Sequence, residues 1–258
     1  MVVGRRRQAE LREDARHVLR SWFSRSHSGL QELGALVVLY SLYEVVRGVP
    51  SENVQAAMRH TSEIVALEQG VGIYVERGVQ EAFDTVPGMA TVLGLAYLVL
   101  HFAGTTAALV WLHRRHPDRF PIVRTTVVAA TALALVGYVL YPAAPPRLAD
   151  LGFADTVTSH TGLNLSSDLL GALYNPFAAV PSLHFGYALI VGVALATLAE
   201  RRWVRVVGAV YPLVMLLVIV ATGNHFVFDA ALDAVAGEGE GAGEGIRTLD
   251  PALTRRVL

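Results

Sequence analysis

The sequence predicts an all-α fold, a polytopic transmembrane helical bundle, from three observations. Of 258 residues, 53% are hydrophobic and 17% charged, against roughly one-quarter charged in soluble domains. Five apolar runs, at about 33–49, 88–112, 122–142, 183–199 and 204–222, approach or reach the roughly 20 residues that a helix needs to cross a bilayer. Arginines also alternate from loop to loop, as the positive-inside rule requires of a multi-span chain.

Residues 1–32 form a basic segment with Arg5, Arg6, Arg7, Arg12, Arg16, Arg20 and Arg25. It lacks an A-x-A-like cleavage site, so the first span is expected to stay as a signal anchor with the N-terminus in the cytoplasm. Arg114, Arg115, Arg119 and Arg124 between spans two and three, and Arg201, Arg202 and Arg205 between spans four and five, belong to the same side. The opposite loops hold only Arg59, Arg77 and Arg147, which places 50–87 and 143–182 outside. Segment 51–86 is too polar to cross, yet Ile64, Leu67, Val71, Val75 and Val79 recur at helical spacing. It predicts one or two amphipathic helices on the outer membrane surface. Beyond Asp229, the run Ala230–Gly237 is too short to span and leads into a Gly-Glu repeat at 237–245. The expectation is a truncated sixth span, with 238–258 a low-complexity, disordered tail after a membrane domain at 33–237.

Composition excludes several classes of function. A formal net charge of −1 offers nothing to nucleic acid. With no cysteine, disulfides, thiolate metal sites and cysteine nucleophiles are absent. All 21 basic residues other than histidine are Arg, so a charged side chain that meets a phosphate must be Arg or His.

Two strings at the edges of apolar runs carry the chemistry: Pro181-Ser182-Leu183-His184 and His225-Phe226-Val227-Phe228-Asp229. Forty-one positions separate the two histidines (225 − 184), about two crossings at roughly 20 residues each, so both return to one membrane face. His225 and Asp229 are four apart and share a helix face. The carboxylate can accept one imidazole N–H, which fixes the tautomer and leaves the other nitrogen free to attack. By itself a His-x-x-x-Asp is common, and a polar pair at the interface explains it equally well. Pro181 and Ser182 also read as an ordinary capped helix start. In the functional reading, Ser182 and nearby amides cradle a phosphate at a positive helix end, and protonated His184 gives a proton to the leaving oxygen. A third string, Tyr141-Pro142-Ala143-Ala144-Pro145-Pro146-Arg147, follows span three on the outer face, where Arg147 offers a bidentate, permanently charged fork. Otherwise Arg147 marks the membrane interface.

The two histidine strings, in this order and placement, resemble the type 2 phosphatidic acid phosphatase (PAP2) superfamily over roughly residues 33–237. The Tyr141–Arg147 turn and Gly223-Asn224-His225 look most like its bacterial branch related to inositol phosphorylceramide synthases, the inositolphosphotransferases. The resemblance implies a helical bundle, usually of six spans, with no required cofactor or metal. It implies that His225 attacks phosphorus and forms a phosphohistidine while Asp229 holds it, that His184 protonates the departing alcohol, and that Ser182 and Arg147 bind the phosphate. The expected substrate is a lipid phosphate or phospholipid at the outer face of a bacterial plasma membrane, with water or an alcohol as acceptor. Two departures stand out. The family's first motif usually carries a Lys and an Arg-Pro pair, where this chain has Arg147 in Pro-Pro-Arg-Leu. A Ser-Arg pair upstream of the second histidine is replaced by Val218 and Ile219.

Other polar residues have blander readings. Glu44 and Arg47 suit a same-face ion pair, and His101 a hydrogen bond within the bundle. Asp168 and Asn175 suit a solvated loop or a substrate entrance, and Tyr40, Tyr43, Tyr97, Tyr138 and Tyr141 the interface or bundle. Two competing classes follow from the same residues: a metal-dependent hydrolase with His184, His225 and Asp229 around zinc, and a degenerate, non-enzymatic membrane protein.

Overall fold

In a bilayer, each backbone amide must pair within its own segment, a demand that helices meet. The computed structural model describes residues 54–161 and 177–231, together with Ser41. The chain divides after Val45 into two units, and all described residues but Ser41 lie in the second. Among the described residues every regular element is helical; the one β contact is an isolated parallel bridge between Ala143 and Ala178. The first predicted span apart from Ser41, with Glu44, Arg47, Tyr40 and Tyr43, and also Asp168, Asn175 and the tail 238–258, lie outside the described residues.

In chain order the elements are α1 (Val54–Val71), α2 (Glu76–Asp84), α3 (Met89–Leu98), a π-helical turn (Val99–Gly104), α4 (Thr105–Arg115) and α5 (Phe120–Leu140). A 3₁₀ turn (Pro146–Leu148), α6 (Thr156–Thr161), α7 (Leu183–Leu198), α8 (Arg202–Ala221) and a helical turn at 227–231 follow. Among the described residues three helices are long and apolar enough to cross a membrane: the continuous Met89–Arg115, α5 and α8. The fourth predicted span is α7, whose 16 residues reach roughly 24 Å. Large side chains such as Val92, Phe102, Val136, Leu140, Trp203 and Leu213 are exposed on these helices, as contact with lipid tails requires.

Small residues set how closely the helices approach. A Cβ on Gly192 of α7 would lie 2.6 Å from the Gly208 carbonyl of α8, and one on Gly208 would lie 2.6 Å from Leu195 Cβ. Pro212 packs into the same crossing. Without a hydrophobic drive between helices in lipid, such contacts are what hold them together. The π-helical turn displaces one register of backbone bonds. Tyr211 on α8 donates its hydroxyl to the Leu100 carbonyl at 2.6 Å, which ties that turn to α8. Leu93, Tyr97, Val157, Ala188, Met215 and Ile219 make the main core where α3, α6, α7 and α8 meet.

The segment before the second span forms two helices, and the side that packs on the protein is largely polar. Ile64 is buried and Val79 partly so, whereas Leu67, Val71 and Val75 are exposed. Thr61, Glu68, Glu76 and Gln80 are buried in their place. Leu67, Val71 and Val75 therefore face outward, while Ile64 and a polar stripe face the loops that carry the histidine strings. A polar group enters a protein interior when partners await it, and the loops supply them.

Candidate active site

His225 stands just beyond α8, where the backbone reverses. Gly223 ends the helix with a positive φ of 66°, a conformation open to glycine, and a Cβ there would come within 3.2 Å of Gln80. The amides of Asn224 and His225 both return to the Ile219 carbonyl, at 3.0 and 3.2 Å. This turn sets His225 Nδ1 3.0 Å from the Ala179 carbonyl and 3.2 Å from Asp229 Oδ2. A carbonyl can only accept, so Nδ1 carries the proton and Nε2 keeps its lone pair. Asp229, fully buried, also accepts the Phe226 N–H through Oδ2 at 2.9 Å. The bond predicted between His225 and Asp229 is present, and Ala179 adds a second acceptor that fixes the same tautomer.

Ser182 caps α7. Its hydroxyl accepts the Phe185 N–H at 3.4 Å and its side chain is buried. His184, two residues on, has its ring centroid 5.5 Å from that of His225. Its other neighbours come from the second span: Tyr97 stacks at 4.3 Å, and the His101 ring lies at 4.0 Å. His101 is on the π-helical turn, and its buried Nδ1 has no hydrogen-bond partner. The two predicted histidines thus meet, and His101, read from sequence as a bundle residue, stands against His184.

Arg147 reaches the same turn from the third string. Its backbone amide bonds the Gly223 carbonyl at 3.0 Å, and its Nε donates to Asn224 Oδ1 at 2.9 Å. Nη1 pairs with Asp155 at 3.1 Å, with the arginine side chain 3% exposed. The guanidinium is therefore fixed beside the residue preceding His225. Asn224 in turn bonds Thr222 Oγ1 at 2.9 Å. Val218 and Ile219, which stand where a Ser-Arg pair was expected by resemblance, are buried in the apolar core.

The helices α1 and α2 clamp these loops. Thr61 Oγ1 donates to the Ala144 carbonyl at 3.0 Å and accepts its N–H at 2.9 Å, while His60 Nδ1 donates to the Pro142 carbonyl at 2.8 Å. Backbone bonds from Ala143 to Phe177 and from Ala179 to Ala143 then brace the proline-rich string against the chain leading to Ser182. Gln80 holds Ala154 through both its amide atoms, at 2.8 and 3.1 Å. Glu76 Oε1 accepts the Val227 N–H at 2.9 Å, and Glu68 Oε1 accepts the Phe228 N–H at 2.7 Å. Burial pushes the Glu68 carboxyl up to about 8, and the nearby Glu76 and Asp229 charges add to the effect.

Sequence reasoning did not find Glu68, Glu76, Gln80, Asp155 or the contact of His101 with His184. One signal was present: Glu68 lies four residues after Ile64 and seven after Thr61, on their helix face. Among the described residues no group of three His, Asp or Glu side chains is arranged to hold a metal ion.

Two histidines on adjoining helix starts, one bonded to a buried carboxylate, thus stand with a fixed arginine at one end of an all-helical bundle that contains apolar helices long enough to cross a membrane. The family comparison agrees: the PAP2 superfamily matches over residues 62–237, and the chain belongs to that superfamily. Membership supports phosphatase-type enzymatic function at the coarse level. No curated protein and no solved structure matches the chain.

Proposed function

We propose that this protein is an integral membrane phosphatase or phosphotransferase that acts on a lipid phosphate at the outer membrane face through a phosphohistidine on His225. The observation that carries the reading is the pair of acceptors, Ala179 O and Asp229 Oδ2, on one nitrogen of His225. They hold the proton on Nδ1 and leave Nε2 as a nucleophile whose developing positive charge is met by Asp229.

In the first half-reaction, Nε2 attacks phosphorus; the P–N bond forms as the P–O bond to the lipid alcohol breaks. Protonated His184 gives its proton to the departing oxygen. In the second, neutral His184 takes a proton from water or an acceptor alcohol, whose oxygen displaces His225 from phosphorus. Arg147, Ser182 and amides at the start of α7 bind the phosphoryl oxygens. Five spans, a cytoplasmic N-terminus and an outer site in the plasma membrane belong to this reading, supported by the arginine distribution and the apolar helices. The same first step serves hydrolysis and transfer, and the resemblance of the Tyr141–Arg147 turn and Gly223-Asn224-His225 to the inositolphosphotransferase branch favours an alcohol acceptor.

The test uses purified protein in detergent with phosphatidic acid, and separately with a phosphoinositol lipid plus a lipid alcohol, EDTA being present throughout. We expect turnover that resists EDTA and is lost, by at least 10³-fold, in His225→Ala. Free phosphate marks a phosphatase, and a new phospholipid a transferase. Turnover unchanged in His225→Ala would remove the nucleophile, EDTA-sensitive turnover would favour the zinc reading, and folded protein inert on both lipids would favour a degenerate one.

A further inference from the structure

The first three amides of the turn at 227–231 and its lead-in are each taken by a carboxyl group, and the three acids come from three places in the chain. Phe226 N–H goes to Asp229, Val227 N–H to Glu76 and Phe228 N–H to Glu68, at 2.9, 2.9 and 2.7 Å. All three acids are fully buried. Capping alone does not require this, because a serine, threonine or asparagine satisfies a helix start without burying charge. Burying two glutamates side by side carries desolvation and like-charge repulsion that a mere cap avoids. The second oxygens, Glu68 Oε2 and Glu76 Oε2, are buried with no hydrogen-bond partner. One proton held between them would satisfy both.

We propose that Glu68 and Glu76 are positioning residues for His225: they grip the amides that follow it and share one proton, keeping a single negative charge behind the His225–Asp229 couple. The Val227 and Phe228 amides steady the carboxyl pair, and the pair's charge favours positive charge on the His225 ring. The charges acting on Glu68 are those of Glu76 and Asp229; Tyr74 lies beside the pair, and Arg77 is held by Glu81 at 2.8 Å.

The pH dependence follows with a definite sign. Glu68 binds its proton more tightly in the fold than in the unfolded chain, where an ordinary carboxyl titrates near 4.5. Its contribution to stability is therefore full below about 4.5 and is lost as pH rises to about 8. Above that, two like charges face each other and the grip on the turn weakens.

Two readouts test the proposal, one of them independent of any enzymatic activity. Deuterium exchange at the His225 C2–H, followed against pH by mass spectrometry, reports the proton affinity of this ring. In Glu68→Gln/Glu76→Gln, which removes the pair's charge, we expect the exchange profile against pH to move from that of the wild type; an unchanged profile would overturn the proposal. The kinetic consequence rests on the phosphohistidine reading. Wild-type kcat should fall more steeply above pH 8 than loss of the His184 proton alone requires, with KM little altered, and Glu68→Gln, whose amide mimics the protonated acid, should lose that added fall. Glu68→Ala should lower kcat at least tenfold at pH 7, with Glu68→Gln restoring it. If the double variant does not fold, Glu68→Gln decides: retention of the added fall above pH 8, or of the wild-type exchange profile there, overturns the proposal. Wild-type protein without turnover sinks the phosphatase reading, while the exchange experiment still decides this one.

Discussion

Asp229 uses one oxygen, Oδ2, for both the His225 Nδ1–H and the Phe226 N–H, so a small chemical change there separates shape from charge. In Asp229→Asn the amide oxygen can replace one acceptor but not its charge, and a flipped amide would present N–H to Nδ1. That would move the ring proton to Nε2 and remove the nucleophilic lone pair. We expect kcat to fall roughly 10²- to 10⁴-fold with KM within a few-fold of wild type, measured as steady-state product formation. Unchanged kcat would take Asp229 out of the machinery. Residues of this kind were legible in sequence because their spacing is local: His225 and Asp229 are four positions apart, and they meet although His225 precedes the helical turn at 227–231 and is not part of it. Ala179 was not legible, because what it contributes is a carbonyl, which every residue has.

Helices were legible by length and periodicity, their partners less so. The crossing of α7 with α8 depends on Gly192 and Gly208, and nothing in a run of small and apolar residues says which glycine meets which backbone. Gly192→Leu would drive a side chain into the Gly208 carbonyl and Pro212, where a Cβ already comes within 2.6 and 2.8 Å. The expected loss is about 1–3 kcal/mol or more, read as a lower melting temperature in detergent. Gly70→Ala on α1, where a Cβ meets nothing within 4 Å, should leave the melting temperature unchanged or raise it slightly. Equal effects of the two substitutions would refute the close crossing. The helices α1 and α2 show the limit of periodicity. Their apolar stripe was visible, yet which stripe turns inward depends on whether loops 141–156 and 224–228 offer it hydrogen bonds.

The whole molecule adds orientation. Because the chain has no cysteine, single cysteines report sidedness without background. Gln69→Cys, exposed on α1, should react with a membrane-impermeant maleimide in intact cells. Asp118→Cys, exposed between α4 and α5, should react only after lysis. The opposite pattern would put the two histidines on the cytoplasmic side. At this scale the membrane class, the helical class and the two histidine strings were all determined by the sequence itself. Bilayer thickness and the 3.6-residue repeat act on consecutive residues, and they need no knowledge of the fold. Only the tertiary structure decided that Arg147 meets Asn224, that His101 faces His184, and that Glu68 and Glu76 close on the amides behind His225. Those contacts join residues up to 160 positions apart, and they depend on burial, which any one segment acquires only from its neighbours in space.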